Sequence, residues 1–353
     1  MMASQVSPPQ SFPSQVARDA ALPHKRPSSL TLAAVITMGI LAISCASILI
    51  RFADAPSLTI ACYRVALATL VLLPRHLWAG GPSSIARSNP GPSWWILILS
   101  GTFLALHFVF WIESVQKTTV ASSVTLVSTS PLFTALCSAL LFKERPRPWL
   151  WIGIAACVVG SAVVGASDSQ SGQESLEGDL LALLGALMAS GYLLAGRALR
   201  PRMPLISYLV GTYGTAALVL LLLALLTQTP LHGFSPQTYG AMILLALVPQ
   251  LLGHSSFNWA LRHLSATSVA ILTLGEPIGA SLLAFLILGE GVGPTAAVGL
   301  GLLAGGILIG SFATTPSGCS PTPAQPAVPV PSEKDTPRAN GSPPSCPDQT
   351  PPT

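Results

Sequence analysis

Residues 121–133 read Ala-Ser-Ser-Val-Thr-Leu-Val-Ser-Thr-Ser-Pro-Leu-Phe, an apolar stretch that carries a proline near the centre of a membrane-length segment. This proline, Pro131, recurs 146 residues later as Pro277, inside a second apolar stretch. Other residues recur at the same distance: Gly39, Ser44 and Arg51 as Gly185, Ser190 and Arg197, and Glu144, Gly153 and Gly160 as Glu290, Gly299 and Gly306. The chain therefore contains two similar halves.

The composition places both halves in a membrane. Half of the residues are hydrophobic and only 8% are charged, whereas soluble domains contain about 25% charged residues. The net charge is +4, without a long basic run or a basic patch with aromatic residues, so we expect no nucleic-acid partner. The six cysteines form no C-x-x-C pair, and we expect no metal and no cofactor.

Each half contains five apolar segments of about the ~20 residues that a helix needs to cross the hydrocarbon core. They are 30–50, 57–74, 94–112, 119–142 and 149–166, then 179–196, 205–227, 238–258, 266–288 and 293–312. An odd number of spans inserts the second half from the opposite side. The sequence thus predicts an all-α membrane protein with ten transmembrane helices in two inverted five-helix repeats, an arrangement typical of secondary transporters.

The repeats are expected at 30–166 and 179–312, joined by an external linker at 167–178. Residues 1–29 and the Pro/Ser/Thr-rich tail 313–353 are expected to be disordered, because they have too little apolar surface to pack. Basic loop residues set the orientation. With a cytoplasmic N-terminus, the inner loops carry Arg75, Arg87, Lys143, Arg145, Arg147, Arg197, Arg200, Arg202 and Arg262, and the outer loops carry only Arg51 and Lys117. Both termini are therefore predicted on the cytoplasmic side of the membrane.

Several of these stretches resemble the EamA-type domain of the drug/metabolite transporter superfamily. They are the run from Ala121 to Phe133, Leu141-Phe-Lys-Glu-Arg145, the glycines from 153 to 160, their second-half counterparts, Tyr63-Arg64 and Asp54-Ala-Pro-Ser57. The resemblance covers roughly residues 30–312. It implies a ten-helix inner-membrane carrier of small metabolites, often amino acids or related compounds moved outward.

The two prolines are candidates for helix breaks or hinges beside the solute site. A proline removes one backbone hydrogen bond, and interrupted helices at matching places in two halves are typical of transporter binding sites. Alternatively, Pro131 and Pro277 produce packing kinks whose freed carbonyls are satisfied by Ser128 or Thr273.

Two charged residues lie inside the spans. Glu276 should face a partner or water, because a charge at mid-membrane costs about 2.5–3.5 kcal/mol on insertion scales. Burial favours its neutral form, so Glu276 is a candidate for proton coupling as well as for solute contact; a fixed ion pair is the alternative. Arg64 is its natural counterpart, either as a ligand for a solute carboxylate or as a structural or snorkelling residue. Ser130 occupies the matching position of Glu276.

Polar residues on two further helices complete the candidate substrate-binding set. Gln250, His254 and Asn258 are spaced by four and should share one helix face. His107 and Trp111 show the same spacing, and His107 with Phe110 resembles His254 with Phe257 at an offset of 147 rather than 146. Each histidine could instead be a packing residue.

The function predicted from these features is transport of a small metabolite by alternating access, with protons as a further partner of the carrier. A membrane scaffold that uses its Pro-rich tail is the alternative. A membrane enzyme is the least favoured class, because no zinc, nucleophile-elbow or P-loop motif is present. The pairs Gly301/Gly305 and Gly306/Gly310 permit close helix contact within the bundle or in a homodimer, which the function does not require.

Overall fold

The computed structural model describes residues 27–79, 94–141, 148–168, 176–289 and 293–313, all within one compact unit, Met1–Ser317. The predicted disordered segments, apart from a few residues at their inner ends, lie outside the described residues. So do most of the predicted linker and the basic residues at 87, 143, 145 and 147. Glu144 and Glu290 also lie outside this part of the chain.

All regular structure in the described residues is helical. The helices of the first half are α1 (Ser29–Phe52), α2 (Ser57–Trp78), α3 (Trp94–Lys117), α4 (Val120–Val127 and Ser130–Leu141) and α5 (Pro148–Asp168). Those of the second half are α6 (Leu176–Leu199), α7 (Leu205–Leu226), α8 (Pro236–Ala260), α9 (Ala266–Leu288) and α10 (Pro294–Ala313). Within this part of the chain, eight helices, α1 to α4 and α6 to α9, are long and apolar enough to cross a membrane. The prediction of an all-α membrane protein is confirmed, whereas ten spans remain a prediction.

Helix ends follow local polar chemistry. Thr119 and Ser265 cap α4 and α9, since their side-chain oxygens accept from the backbone N–H of the third residue on, at 3.1 and 3.0 Å. The third predicted segment ended at 112, but α3 continues to Lys117. The added residues are mostly polar and still helical, since Lys117 pairs with Glu113, one turn earlier in the same helix, at 3.3 Å.

The helices of the two halves interleave. α1 packs on α8 and α9, and α6 packs on α3 and α4. The first contact is close at Gly39, where a Cβ would lie 3.0 Å from Cβ of Ser256. The second is close at Gly185, where a Cβ would lie 3.4 Å from Cβ of Trp111. We call α1, α8 and α9 group one and α3, α4 and α6 group two; each draws helices from both halves, and the two groups also meet where α4 packs on α9.

The remaining helices pair with their counterparts. α2 packs against α7, and α5 packs along α10. In the second pair, a Cβ on Gly306 would lie 2.7 Å from the carbonyl oxygen of Gly153 and 2.5 Å from Sγ of Cys157. The glycine lets these backbones approach, so Gly306 serves packing within the chain. A Cβ on Gly301 or Gly305 would meet nothing within 4 Å in the described part of the chain.

One contact occurs in both halves and joins the two groups each time. Arg51 of α1 donates to the backbone oxygen of Thr118, between α3 and α4, at 2.7 Å. Arg197 of α6 donates to the backbone oxygen of Leu264, between α8 and α9, at 3.2 Å. Both partners of the second contact stand 146 residues after those of the first, so the two halves repeat this interaction as well as the helices.

Four of the long helices depart from regular α geometry: α1 is interrupted at Cys45, and α4, α8 and α9 change near their centres. α4 is interrupted at Ser128 and Thr129, directly before Pro131 enters the next helical segment. α9 is interrupted at Thr273 and Leu274, before Pro277. A proline has no N–H to donate, so each interruption lies where a regular helix would lose a hydrogen bond. In α8, residues Ala246–His254 form a wider, π-helical segment.

Candidate functional site

The interruptions of α4 and α9 border a central cavity of about 70 Å³, which gives room for several water molecules at roughly 10–15 Å³ each. Helices α1, α2, α3, α4, α6, α8 and α9 all contribute to its wall. Its polar and ring-bearing lining residues are Arg64, His107, Trp111, Ser128, Ser130, Tyr192, His254, Phe257, Thr273 and Glu276. The structure therefore brings together five of the predicted site residues, Arg64, His107, Trp111, His254 and Glu276.

Arg64 is fully buried and does not extend to the membrane surface, so the snorkelling alternative does not describe it. Its Nε donates to Oε1 of Gln250 at 2.8 Å, and its Cζ lies 4.0 Å from the ring centroid of Phe108. A cation placed over an aromatic face is attracted by the ring. Among the described residues, neither terminal nitrogen of Arg64 has a hydrogen-bond partner. An unpaired buried donor costs about 1–3 kcal/mol, and more when it is charged.

Glu276 occupies the first turn of the second segment of α9, directly after the interruption. Its side chain is partly exposed, and the space it faces is the cavity. No direct ion pair joins Glu276 to Arg64 in the part of the chain that the structure describes. The carboxyl group at a helix start lies where the helix dipole favours negative charge.

The two histidines meet across the cavity. The ring centroids of His107 and His254 are 6.4 Å apart, and the ring of Trp111 is stacked on His107 at 6.0 Å. Nδ1 of His107 lies 2.9 Å from the backbone oxygen of Gly185. Because a carbonyl oxygen only accepts, this nitrogen carries a proton, and the neutral ring keeps Nε2 as an acceptor. Nε1 of Trp111 has no partner among the described residues.

Gln250 and Asn258 stand behind the cavity wall rather than in it. Gln250 is buried and holds Arg64, as described above. Nδ2 of Asn258 donates to the hydroxyl of Tyr192 and, at 2.8 Å, to the backbone oxygen of His254. The predicted common face of these α8 residues is altered by the π-helical turns, because a wider turn changes the direction of the side chains that follow it. Such turns are frequent at functional sites.

Hydroxyl groups donate to backbone carbonyls around the two interruptions. Ser128 donates to the backbone oxygen of Val124 at 2.5 Å, and Thr273 donates to that of Ala270 at 2.7 Å. Ser190 of α6 donates to the backbone oxygen of Ser130 at 3.0 Å. These contacts fit the packing-kink alternative, yet both prolines stand within a few residues of cavity-lining side chains. A hinge role for the prolines stays a prediction.

Tyr192 is an aromatic lining residue that the sequence reasoning did not select. It is 3% exposed, its ring lies 6.3 Å from that of His254, and its hydroxyl is bound by Asn258. One signal was available, because Tyr192 follows Ser190, a residue already recognised as part of the repeat. A single tyrosine in an apolar helix, however, does not by itself indicate which way the helix faces.

The EamA-like transporter family matches residues 27–166 and again residues 176–312, one match on each half of the duplicated sequence. The chain belongs to the EamA-like transporter family. The resemblance inferred from the sequence is thereby confirmed, and this EamA-like protein is a multi-pass membrane transporter.

Individual relatives of the EamA-like transporter carry related descriptions. It is 25% identical over 229 residues to the "Uncharacterized transporter YwfM" of Bacillus subtilis (strain 168), which covers 63% of this chain and 74% of that protein. It is 28% identical over 236 residues to the "Probable terminal-alkyne amino-acid exporter" of Streptantibioticus cattleyicolor, over 65% of this chain and 77% of that protein. A solved structure titled "Crystal structure of protein" shares the fold, with a TM-score of 0.65 at 19% identity over 81% of this chain and 98% of the other.

Proposed function

We propose that this EamA-like protein is a secondary transporter that exports a small metabolite, an amino acid or a related compound, by alternating access. The observation that carries the proposal is the central cavity, because a set of charged, imidazole and hydroxyl groups at the middle of apolar helices is expensive unless it serves a solute or ion pathway. Both halves supply lining residues, as expected for a site at the interface of two repeats.

The proposed topology is ten spans in two inverted repeats, with both termini on the cytoplasmic side of the plasma membrane. The interleaved packing supports it. Gly39 contacts α8 of the second half, and the matching Gly185 contacts α3 of the first half, which is the exchange that a two-fold relation between the halves produces. The export direction and the amino-acid class are supported by the Streptantibioticus relative, which is described as a probable amino-acid exporter.

Alternating access is supported by the arrangement of groups one and two around the cavity. The Arg51–Thr118 contact joins them on one side of the bundle, and the Arg197–Leu264 contact joins them at the matching place of the other half. If the repeats are inverted, the two contacts lie at opposite membrane faces. Opening toward one face then requires only one of them to break, and the other remains as the pivot.

Glu276 is the group proposed to couple solute movement to protons. It is the acidic residue in the described cavity lining. Alternating access would move it between water and protein, which changes its affinity for a proton. A scaffold function would not need this cavity, and the tail on which that alternative rests lies outside the described residues. Transport is therefore the function that the described residues favour.

The direct test is flux in vesicles that contain the purified full-length protein. Vesicles loaded with individual radiolabelled amino acids are given a pH gradient of either sign, and protein-free vesicles serve as the control. We expect efflux of a subset of amino acids that depends on both the protein and the gradient. Absence of protein-dependent flux for every amino acid and related metabolite offered would contradict the proposal.

The arginine contacts allow a separate test of alternating access. Ser130→Cys is introduced as a cavity reporter after the native cysteines are replaced, and labelling by a membrane-impermeant maleimide is measured from each face. We expect Arg51→Gln to raise labelling from the outside and Arg197→Gln to raise it from the cytoplasmic side. Arg202→Gln, which changes an exposed arginine, serves as the control. Equal labelling of both variants from one face would contradict the two-sided arrangement.

A further inference from the structure

The guanidinium group of Arg64 is held on one side and free on the other. Gln250 accepts from its Nε, and the ring of Phe108 lies against its Cζ, so both the position and the plane of the group are fixed. Its two terminal nitrogens have no partner in the part of the chain that the structure describes, although Arg64 is fully buried and lines the cavity. Two parallel N–H groups in this geometry match the two oxygens of a carboxylate.

A second unpaired donor borders the same cavity. Nε1 of Trp111 is buried without a partner among the described residues, and the ring centroid of Trp111 lies 5.8 Å from Cζ of Arg64. We propose that Arg64 binds the carboxylate of the transported solute through both terminal nitrogens, with the Trp111 indole N–H as an additional donor and Gln250 and Phe108 as positioning residues. This assignment rests on the proposed transport function and gives it a chemical class of substrate.

Glu276, the acidic residue in the described cavity wall, narrows the class of solute further. In its ionised form, the Glu276 carboxylate repels a second negative charge on the solute and attracts a positive one. The acceptor Nε2 of His107 adds a further place for an N–H donor. A compact zwitterion, with its carboxylate on Arg64 and its ammonium group toward Glu276, satisfies these groups together. A dicarboxylate would leave one anionic group without a cationic partner, and a phosphate ester would bring a second negative charge and no ammonium group.

Arg200 provides the matched comparison. It is as deeply buried as Arg64, but two of its nitrogens are already used, because Nε donates to the backbone oxygen of Asn258 at 2.9 Å and Nη1 donates to that of Met203. Its Cζ lies 5.8 Å from the ring centroid of Tyr208, and it does not line the cavity. The same substitution at both arginines therefore separates loss of carboxylate binding from the general cost of altering a buried cation.

The experiment measures ligand-induced thermal stabilisation of the purified full-length protein, since a ligand that binds only the native state raises its melting temperature. The probes are proteinogenic L-amino acids and, for each one that stabilises, its carboxamide, its decarboxylated amine and its 2-oxo acid. We expect the amino acid and the 2-oxo acid to bind, and the carboxamide and the amine to bind at least roughly 30-fold more weakly, as expected for loss of a buried charge pair.

The variants test whether Arg64 is the source of the preference for the acid over its carboxamide. Arg64→Lys should reduce the preference for acid over carboxamide by roughly 30-fold or more, and Arg200→Lys should leave that preference unchanged. Gln250→Leu should weaken the preference in the same direction by a smaller factor. Glu276→Gln should weaken amino acids relative to 2-oxo acids. If Arg64→Lys fails to fold, the analogue series on the wild-type protein still decides the question.

Three results would overturn the assignment: carboxamides or amines that bind as tightly as the acids, an unchanged preference in Arg64→Lys, or a panel without any carboxylate-dependent stabilisation. Flux in vesicles separates this proposal from transport itself. Carboxylate binding without flux of any compound refutes the transport function and keeps the site, whereas flux of solutes that lack a carboxylate keeps the function and refutes the site.

Discussion

The two halves of the molecule share a scaffold and differ in the chemistry of the cavity. The arginine contacts, the helix caps and the crossing glycines Gly39 and Gly185 are each repeated 146 residues apart. The interruptions of α4 and α9 also lie at matching places, before Pro131 and Pro277. At the same distance, Glu276 corresponds to Ser130, Arg64 to Val210 and Gln250 to Leu104. Duplication preserves what holds the helices in place, and each half contributes different groups to the site. A carrier built this way can bind an asymmetric solute.

The largest effect is expected where the halves differ most. Glu276→Gln should reduce proton-driven flux by about 100-fold, because a positioned proton-transferring group contributes at least that factor. Ser130→Ala, at the matching position, should stay within about 5-fold of the wild type, since a neutral hydroxyl contributes about 1 kcal/mol. Flux in vesicles with an imposed pH gradient measures both. Full activity of Glu276→Gln would remove that residue from the mechanism.

The crossing glycines should behave alike. Gly39→Val and Gly185→Val insert a side chain where a Cβ already lies 3.0 and 3.4 Å from the neighbouring helix, so each should cost about 1–3 kcal/mol of stability through overpacking. Melting temperatures of the purified variants provide the measurement. Gly301→Val is the control, because a Cβ there meets nothing within 4 Å among the described residues. A large loss for one crossing glycine and none for the other would argue against equivalent scaffolds.

The helix caps should give a smaller, matched pair of effects. Thr119→Ala and Ser265→Ala each remove one side-chain acceptor from the first turn of α4 or α9, at a cost of about 1 kcal/mol. The two melting temperatures should fall by similar amounts. Thr102→Ala, which changes a threonine inside α3 that bonds only the carbonyl of Ile98 in the preceding turn, is the reference. A cap variant as stable as Thr102→Ala would show that the cap side chain does not stabilise the protein.

The smallest effect is expected at Lys117 and His263, which stand at matching positions of the two halves, 146 residues apart. Lys117 pairs with Glu113 and Glu177, whereas burial, together with Arg262 and Arg200, lowers the pKa of His263 below its ordinary value of 6.5. The unfolded chain then binds the proton more readily than the folded one, so this histidine destabilises the fold as the pH falls below that value.

His263→Gln should therefore show a smaller drop in melting temperature between pH 7 and pH 5 than the wild type. His232→Gln, at an exposed histidine between α7 and α8, is the matched control and should follow the wild type. An identical pH dependence of wild type and His263→Gln would exclude this contribution.

The sequence was sufficient for the scaffold, because lipid leaves few alternatives to apolar helices of fixed length. The predicted segments 57–74 and 205–227 correspond to Ser57–Trp78 and Leu205–Leu226. Errors fell at ends governed by polar contacts. Helix α5 continues to Asp168 and α6 already begins at Leu176, so both helices extend into the segment 167–178 for which a linker is predicted. Glu177 and Asp179 belong to the first turn of α6, where the helix dipole favours acidic residues.

The site was less accessible to sequence reasoning. Buried charge in an apolar helix predicted that Arg64 and Glu276 face inward, but not that Gln250 would be the partner of Arg64, since the two are 186 residues apart and belong to different halves. The spacing of four along α8 assumed regular turns, and it could not show that Gln250 and Asn258 support the lining residues from behind. Tertiary packing decides these details.

The wide turns of α8 have a consequence for single-residue insertions and deletions in this helix. A regular helix turns by about 100° per residue, so one inserted residue normally rotates everything beyond it and shifts the far end. A π-helical segment such as Ala246–His254 absorbs the extra residue locally. Insertion or deletion of one amino acid here would change the direction of the His254 side chain while both helix ends keep their neighbours. The selectivity of the cavity could then change without repacking of the other helices.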